Sequence, residues 1–432
     1  MAFIVKTVKT VRNNWKKSLA AGVAVYFVGR FAARKYNEDL LRREFCKEAK
    51  KYGKVKIGVT DKPRRIIVFL NPASASGGAV KSFNKNAAPI LHLAGIEVNV
   101  VKTEFEGQVK KFLTALEKHE TNAVVVAGGD GTLLEAVTGF MRKDDMSFRQ
   151  SVPLGVIPLG AMNRFARLLF GTDKDEVRML LESAMAIVKG ETKKVDVLGI
   201  QGEDGRTSFS LSGLQTGVYR DAEARKSKYW YFGPLKHRWT HVRTVMKEWP
   251  PVFKAKISYV LATDENTKPV YTSQIKKQSP APQSKSWFSF LYKMKPAAPD
   301  PRYSEEEMDD SLDEEITEEV DTIEFCVNSS NLNDPSKNLK GFECKLGPSE
   351  PNKMDVIKEG WRRINDKNLQ LGSPTDRSLI VKKIKLIPEV VVDQEEPSWF
   401  DIDGENYEAM PIEIKLLKNR LNVFYNGSIS SS

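Results

Sequence analysis

The sequence predicts an α/β protein in two parts: a doubly wound N-terminal α/β domain and a C-terminal, mostly antiparallel β domain, preceded by a membrane-associated N-terminal segment. Three observations carry that prediction. From Asp61 onward, apolar strand-like runs alternate with amphipathic helix-like runs, the pattern of parallel strands joined by crossover helices. Three loops rich in small residues fall at the carboxyl ends of those strands, where open α/β sheets bind ligands. Beyond Gly190 the texture shifts to short, often alternating strands.

Taken in order, RRIIVFLNP reads as a buried strand and AVKSFNKNAAPILHLAG as an amphipathic helix closed by Gly95. IEVNVVKT and EGQVKKFLTALEKHE repeat the pair, NAVVVAGGDGT and LLEAVTGFMRK repeat it again, and VPLGVIPLGAMN begins a fourth unit. The helix-like DEVRMLLESAMAIVKG closes this part. Strand-like segments follow: KKVDVLGIQ, TSFSLSGLQTGVY, FKAKISYVLA, VDTIEFCVNSS, DRSLIVKKIKLIP, EVVVD and EIKLLKNRLNVFY. The domain reading is residues 1–60 for anchor and linker, 61–195 for the α/β domain and 196–426 for the β domain. An insertion over 264–319, rich in Pro, Ser, Gln and Lys and then in Glu and Asp, interrupts the last. Within it, KSWFSFLYKMK sets aromatic residues among lysines, which suits a membrane interface, a partner groove or a local packing helix.

Two domains are the natural expectation for 432 residues. The net charge of +11 understates how basic most of the chain is. Glu305–Asp321 holds eleven acids and no Lys or Arg, leaving the remainder at +22. A basic body suggests anionic partners. Nucleic acid is set aside, because the charge is dispersed and no binding motif accompanies it. Cys46, Cys326 and Cys344 form no CxxC, and with four His and no HExxH a structural zinc site is not expected. Cys326 and Cys344 are read as buried free thiols, with pairing open if strands bring them together.

The N-terminus differs in kind. Met1 to Asn37 has no acid and eight Lys or Arg, surrounding an apolar core from Leu19 to Val28. The core is short for a transmembrane helix, and basic blocks on both sides do not suit a cleaved signal peptide. An amphipathic surface segment or a short span with snorkelling Lys and Arg fits better, as a membrane anchor doubling as a mitochondrial address.

The loops carry the chemistry. Gly128-Gly129 lets backbone N–H groups approach a ligand, and a helix begins at Thr132, so the loop is read as a phosphate cradle and the domain as nucleotide-binding. It matches neither the Walker pattern nor GxGxxG. A carboxylate beside a phosphate implies Mg²⁺ or a base facing an incoming hydroxyl, so Asp130 points to phosphoryl transfer. The plainer alternative is a turn in which Asp130 caps the helix.

FLNPASASGG, VVVAGGDGTLLEAVTG, IPLGAMNRFAR and DIDGENYE resemble, in order and spacing, the diacylglycerol and sphingosine kinase superfamily. NAAPILHLAGIEVNVVKTEFEGQ, AIVKGET, SKYWYFGPLK, KEWP and YEAMPIEIKLL extend the resemblance to the acylglycerol kinases of animal mitochondria, from the N-terminal anchor to the final strand. Nucleotide kinases of the NAD kinase type share GGDGT but lack the PLGAMNRFAR and DGE motifs. The resemblance implies ATP, Mg²⁺ and lipid acceptors, monoacylglycerol and diacylglycerol, giving lysophosphatidic and phosphatidic acid. It also implies the mitochondrial inner membrane, a body facing the intermembrane space, and a second role as a subunit of the carrier translocase.

By the same resemblance, Asn71, Gly78, Gly128, Gly129, Gly131, Thr132, Gly160 and Asn163 wrap the nucleotide, and Lys236 faces its triphosphate. Asp221 and Glu223 read the acceptor's polar head. Asp130 is assigned as base, with Asp403 and Glu405 positioning metal and nucleotide; Asp130 and Asp403 are the expected metal ligands. Relatives often carry basic residues in the first loop. NPASASGGAV has none before Lys81, so its phosphate grip is expected to rest on backbone N–H groups and Ser74 or Ser76.

Overall fold

Thirty-nine residues, Trp15–Gly53, form one helix, α1. The computed structural model that places it describes residues 14–55, 58, 62–172, 174–247, 249, 252–262, 315–332, 341–365, 370–389 and 398–427. The first half of α1 is exposed, including Leu19, Val23, Tyr26, Phe27, Val28 and Phe31. The second half docks. Leu41, Phe45 and Ala49 recur every four residues, so they share one face and pack on the core. Arg42 Nε donates to Asn86 at 2.8 Å, and Glu48 pairs with Lys189 at 3.4 Å. The stretch expected to be linker is therefore helical through Gly53, because it carries its own apolar stripe. No helix among the described residues is long and apolar enough to cross a membrane.

Four parallel strands follow in the order β2 (Glu97–Lys102), β1 (Arg65–Leu70), β3 (Ala123–Gly128), β4 (Leu154–Pro158). β3 and β4 are buried along their whole length, which explains their unbroken apolar runs. Helices α2 (Ala79–Leu93), α3 (Gln108–Ala115) and α4 (Asp130–Arg142) make the crossovers, with α5 (Met146–Ser151) capped by Asp145, whose Oδ1 accepts from Ser147 N at 2.9 Å. After β4 come α6 (Arg164–Phe170) and α7 (Glu176–Lys189), which ends at Gly190 with φ 77°.

The C-terminal part contains β5 (Thr192–Gly202), β6 (Thr207–Ser210), β7 (Gly213–Gly217), α8 (Val218–Ala224), a 3₁₀ segment Arg225–Leu235 and α9 (Lys236–Lys247). β8 (Phe253–Leu261), β9 (Ile316–Thr322), β10 (Glu324–Asn328), β11 (Phe342–Leu346), α10 (Lys353–Asn365) and β12 (Arg377–Pro388) follow. The chain closes with β13 (Trp399–Ile402), β14 (Glu405–Glu408) and β15 (Ile412–Phe424). Its strands are antiparallel with one exception, Val423 of β15 beside Leu154 of β4. β15 also runs antiparallel to β5, with an irregularity between Leu417 and Leu421 where Asn419 takes φ 52°. Among the described residues one mixed sheet of fifteen strands thus runs through both parts.

Several local expectations change. β9 begins at Ile316, inside the stretch assigned to the insertion, because it pairs along β8 from Tyr259 to Phe253 and buries Val320. Residues 263–314, with KSWFSFLYKMK, lie outside the described residues, as does EVVVD from 390 onward. TSFSLSGLQTGVY is two strands and the start of α8 rather than one strand. Cys326 and Cys344 are free and buried; the register pairs Cys344 with Val327, so strand alternation turns Cys326 to the opposite face.

Candidate active site

The loops after β1, β3 and β4 converge through backbone contacts that leave no room for side chains. A Cβ on Gly160 would lie 2.5 Å from Gly129 Cα, and one on Gly128 would lie 2.8 Å from Thr132 Oγ1. Asn71 Nδ2 donates to Thr132 Oγ1 at 2.9 Å while Asn71 Oδ1 accepts from Ala73 N at 3.0 Å, tying the first loop to α4. Asn163, at φ 50°, closes the third loop: Oδ1 accepts from Gly160 N at 2.9 Å and Nδ2 donates to Gly160 O at 2.6 Å. Gly78 sits exposed at the start of α2 behind a 3₁₀ turn, Ser74–Gly77. Asn71, Gly128, Gly129, Thr132, Gly160 and Asn163 therefore meet in one place, while exposed Gly78 contacts Ala75 of its own turn.

Asp130 opens α4 at the centre of this convergence. Its carboxyl is pushed up to about 6, chiefly by burial. The Arg164 guanidinium and the backbone N–H groups of Asn163 and Arg164 oppose the rise, and the neighbouring Asp403 adds to it. The N-terminus of α6 thus presents its free amides to Asp130, a stabilising arrangement for an anion that burial outweighs.

Asp403 and Gly404 form the two-residue turn between β13 and β14, at φ 49° and 85°, the geometry favoured by an Asp-Gly pair in a tight hairpin. Asp403 is 5% exposed. Its Oδ1 accepts from Ser212 N at 3.2 Å and Gly213 N at 3.3 Å, and Oδ2 from Leu211 N at 3.1 Å. Burial raises its pKa against these bonds. Both oxygens are spent on the backbone that leads into β7, which is poor geometry for the metal ligand expected there. Glu405 turns the other way and lies against Gly131, where a Cβ would come within 2.7 Å of its carboxyl carbon. Its pKa is raised by burial and then by Glu106 and Glu135.

The expected acceptor residues lie on α8. Asp221 is bound by Arg220 Nη1 at 3.0 Å and Glu223 by Lys226 at 3.0 Å. Arg220 Nη2 donates to Asn406 Oδ1 at 2.5 Å, so α8 is tied to the hairpin that carries Asp403 and Glu405. On its other flank Tyr219 stacks 3.9 Å from Arg363, which forks onto Glu324 at 2.6 and 2.7 Å. Lys236 opens α9 beside His237, on which Lys226, Glu223 and Lys236 all act. Among the described residues no hydrogen bond or ion pair joins it to the loops around Asp130. The cation that does face Asp130 is Arg164, which stands beside Asn163 in NRFAR and was passed over.

Among the described residues no group of three His, Cys, Asp or Glu is arranged to hold a metal ion. Glu405, against Gly131, supplies a hard oxygen donor at the cradle, which fits a Mg²⁺ that takes one carboxylate and completes its shell with phosphate oxygens and water.

This fold and site define a lipid kinase of the diacylglycerol kinase type. The diacylglycerol kinase catalytic domain family matches residues 65–200 and the acylglycerol kinase C-terminal family residues 211–431. A crystal structure of a diacylglycerol kinase from Bacillus anthracis superposes with a TM-score of 0.50 at 17% identity, covering 86% of this chain and 100% of that one. The mitochondrial acylglycerol kinase of Homo sapiens is 36% identical over 423 residues, 96% of this chain and 95% of that protein. That of Xenopus laevis is 34% identical, over 98% and 95%. The chain belongs to the acylglycerol kinase family.

Proposed function

We propose that the chain transfers the γ-phosphoryl group of ATP to a hydroxyl of monoacylglycerol and diacylglycerol, giving lysophosphatidic and phosphatidic acid, at the mitochondrial inner membrane with its body in the intermembrane space. The observation that carries this reading is Asp130, a carboxyl raised to about 6 in a loop stripped of side chains. Such a group is ionised near neutral pH yet basic enough to take a hydroxyl proton. The glycine amides around Gly128, Gly129 and Gly160 bind phosphate, Arg164 balances the charge on Asp130, and Asp403 positions the hairpin by holding three amides. Mg²⁺, held through Glu405, would neutralise charge developing on the transferring phosphates and leave Asp130 free as the base. The names of the mitochondrial relatives support the location, and the exposed apolar half of α1 offers the contact with lipid.

Transfer of labelled phosphate from ATP to a panel of lipids in detergent micelles, with and without Mg²⁺, tests this. Mg²⁺-dependent labelling of monoacylglycerol and diacylglycerol is expected; labelling of neither overturns the reading. A second role, as a kinase-independent subunit of the inner-membrane carrier translocase, draws on a different feature. Trp230, Tyr231 and Leu235 are 76%, 62% and 61% exposed, which suits protein docking as well as lipid contact. Co-purification of translocase subunits with Asp130→Asn protein would support it, and their absence from wild-type preparations would remove it.

A further inference from the structure

Arg164 follows Asn163, whose left-handed backbone at φ 50° and two side-chain bonds to Gly160 lock the loop after β4. Gly160 abuts Gly129, the residue before Asp130, so closely that a Cβ on it would come within 2.5 Å of Gly129 Cα. The backbone thus brings Arg164 to the edge of the cradle beside Asp130. The other arginine of NRFAR is spent on its own loop, with Arg167 Nε donating to Met162 O at 2.8 Å. Arg164, by contrast, acts electrostatically on both Asp130 and Asp403, yet among the described residues no hydrogen bond or ion pair engages its guanidinium. It is half-buried next to exposed Ala161 and Met162, so a ligand can reach it. A gap is left with a carboxyl on one side and an unpaired guanidinium on the other.

Charge decides what fills that gap. The cradle is rich in acid: Asp403 bears on Asp130, and Glu106, Glu135 and Asp401 bear on Glu405. A triphosphate entering it is repelled unless a cation offsets these groups. The first loop carries none before Lys81, and Lys236 makes no bond to these loops among the described residues. A planar guanidinium with five donors matches the non-bridging oxygens of a phosphoryl group, and a half-buried cation without a partner gains by meeting one. During transfer the acceptor oxygen bonds to the γ-phosphorus as its proton passes to Asp130. The bond from that phosphorus to the bridging oxygen breaks, and the electron pair leaves with ADP. N–H groups of Arg164 aimed at the γ-oxygens would stabilise the charge as it spreads.

We propose that Arg164 is a catalytic residue whose guanidinium grips the γ-phosphoryl group of ATP opposite Asp130, supplying the cation that the first loop lacks. This deepens the kinase reading and rests on it.

The test uses the full chain in detergent micelles, with ATP and ADP as calorimetric binding probes and labelled-ATP transfer to monoacylglycerol as the rate. Arg164→Ala should weaken ATP about tenfold or more and leave ADP within about twofold, because only ATP carries the group that Arg164 holds. Its kcat should fall on the order of 10²-fold or more. Added guanidinium ion should restore part of the lost rate to this variant, and sodium chloride at the same concentration should not; a merely structural role would show no such rescue. Arg164→Lys keeps the charge without the fork. It should bind ATP better than the alanine variant and turn over more slowly than wild type, and it decides the matter if the alanine variant does not fold. Equal weakening of ATP and ADP, no weakening of either, or wild-type turnover in either variant overturns the assignment. So does a variant whose only change is an acid limb of kcat/KM moved to higher pH, which would make Arg164 a partner of Asp130 alone. A wild-type chain that binds ATP but labels no acylglycerol removes the acceptor reading, while the ATP and ADP affinities still decide this inference. One that binds no ATP removes both.

Discussion

Asp130→Asn separates a catalytic carboxylate from a helix cap, because the two roles predict opposite stability changes. Burial lifts Asp130 from an ordinary 3.8 to about 6. At about 1.4 kcal/mol per pH unit, holding the ionised form in the folded chain costs roughly 3 kcal/mol, reduced by its partial exposure to about 1–3 kcal/mol. The native state binds this proton more tightly than the unfolded chain does. The cost is therefore absent below about pH 4, grows between pH 4 and 6, and is complete above pH 6. Asn keeps an acceptor for the N–H groups of Asn163 and Arg164 but carries no charge. The variant should melt a few degrees higher than wild type at pH 8, with the gap closing toward pH 4. Its phosphoryl transfer should fall on the order of 10²-fold or more, and the wild-type kcat/KM should lose activity as pH drops through about 6. Melting curves at pH 5 and pH 8, together with labelled-ATP rates, check all three. A variant that melts lower at pH 8 would make the carboxylate a stabilising cap, and one with wild-type turnover would remove Asp130 from the chemistry.

The other expectations follow from single contacts. Gly160→Ala places a Cβ 2.5 Å from Gly129 Cα, backbone against backbone, so the loops must part; a raised KM for ATP, read in initial rates, is expected along with a lower melting temperature. Asp403→Ala strips the acceptor from the amides of Leu211, Ser212 and Gly213 and should cost about 2–4 kcal/mol in denaturant titration, while Asp403→Asn, which keeps one acceptor, costs less. Deleting residues 1–37 should release the protein from carbonate-washed mitochondrial membranes and leave activity on short-chain soluble acceptors intact. Deleting 1–53 removes the docked Phe45 and Ala49 as well and should lower the melting temperature.

The parallel half was legible because its signals are local. β1 and β3 announce themselves as unbroken apolar runs, and the loops after them are short enough that their glycines could be read in place. The docked half of α1 is legible in principle too, since Leu41, Phe45 and Ala49 keep a four-residue spacing, but its stripe is weaker than the continuous apolar run Leu19–Val28. β13 and β14 are four residues each, below the length at which alternation stands out, although their Asp-Gly turn is a hairpin signal in itself. The return of β15 to β4 has no local signature at all, because it pairs segments about 270 residues apart and no local pattern encodes a partner at that separation.

The same distinction explains why neighbouring acids in one motif do different work. Sequence offered Asp403 and Glu405 together as the acids that position metal and nucleotide, with Asp403 as the metal ligand. The turn separates them. Asp403 takes a left-handed backbone and folds its carboxylate onto three amides at the entrance to β7, while Glu405, on the strand that leaves the turn, faces Gly131 at the start of α4. One acid sets the shape of the hairpin and the other is left beside the cradle. Arg164 was missed for the complementary reason: an arginine beside an asparagine is unremarkable in sequence, and only the fold brings it to face Asp130. What determines chemistry at both positions is the burial and orientation of a charged group, properties of the closed sheet rather than of any segment within it.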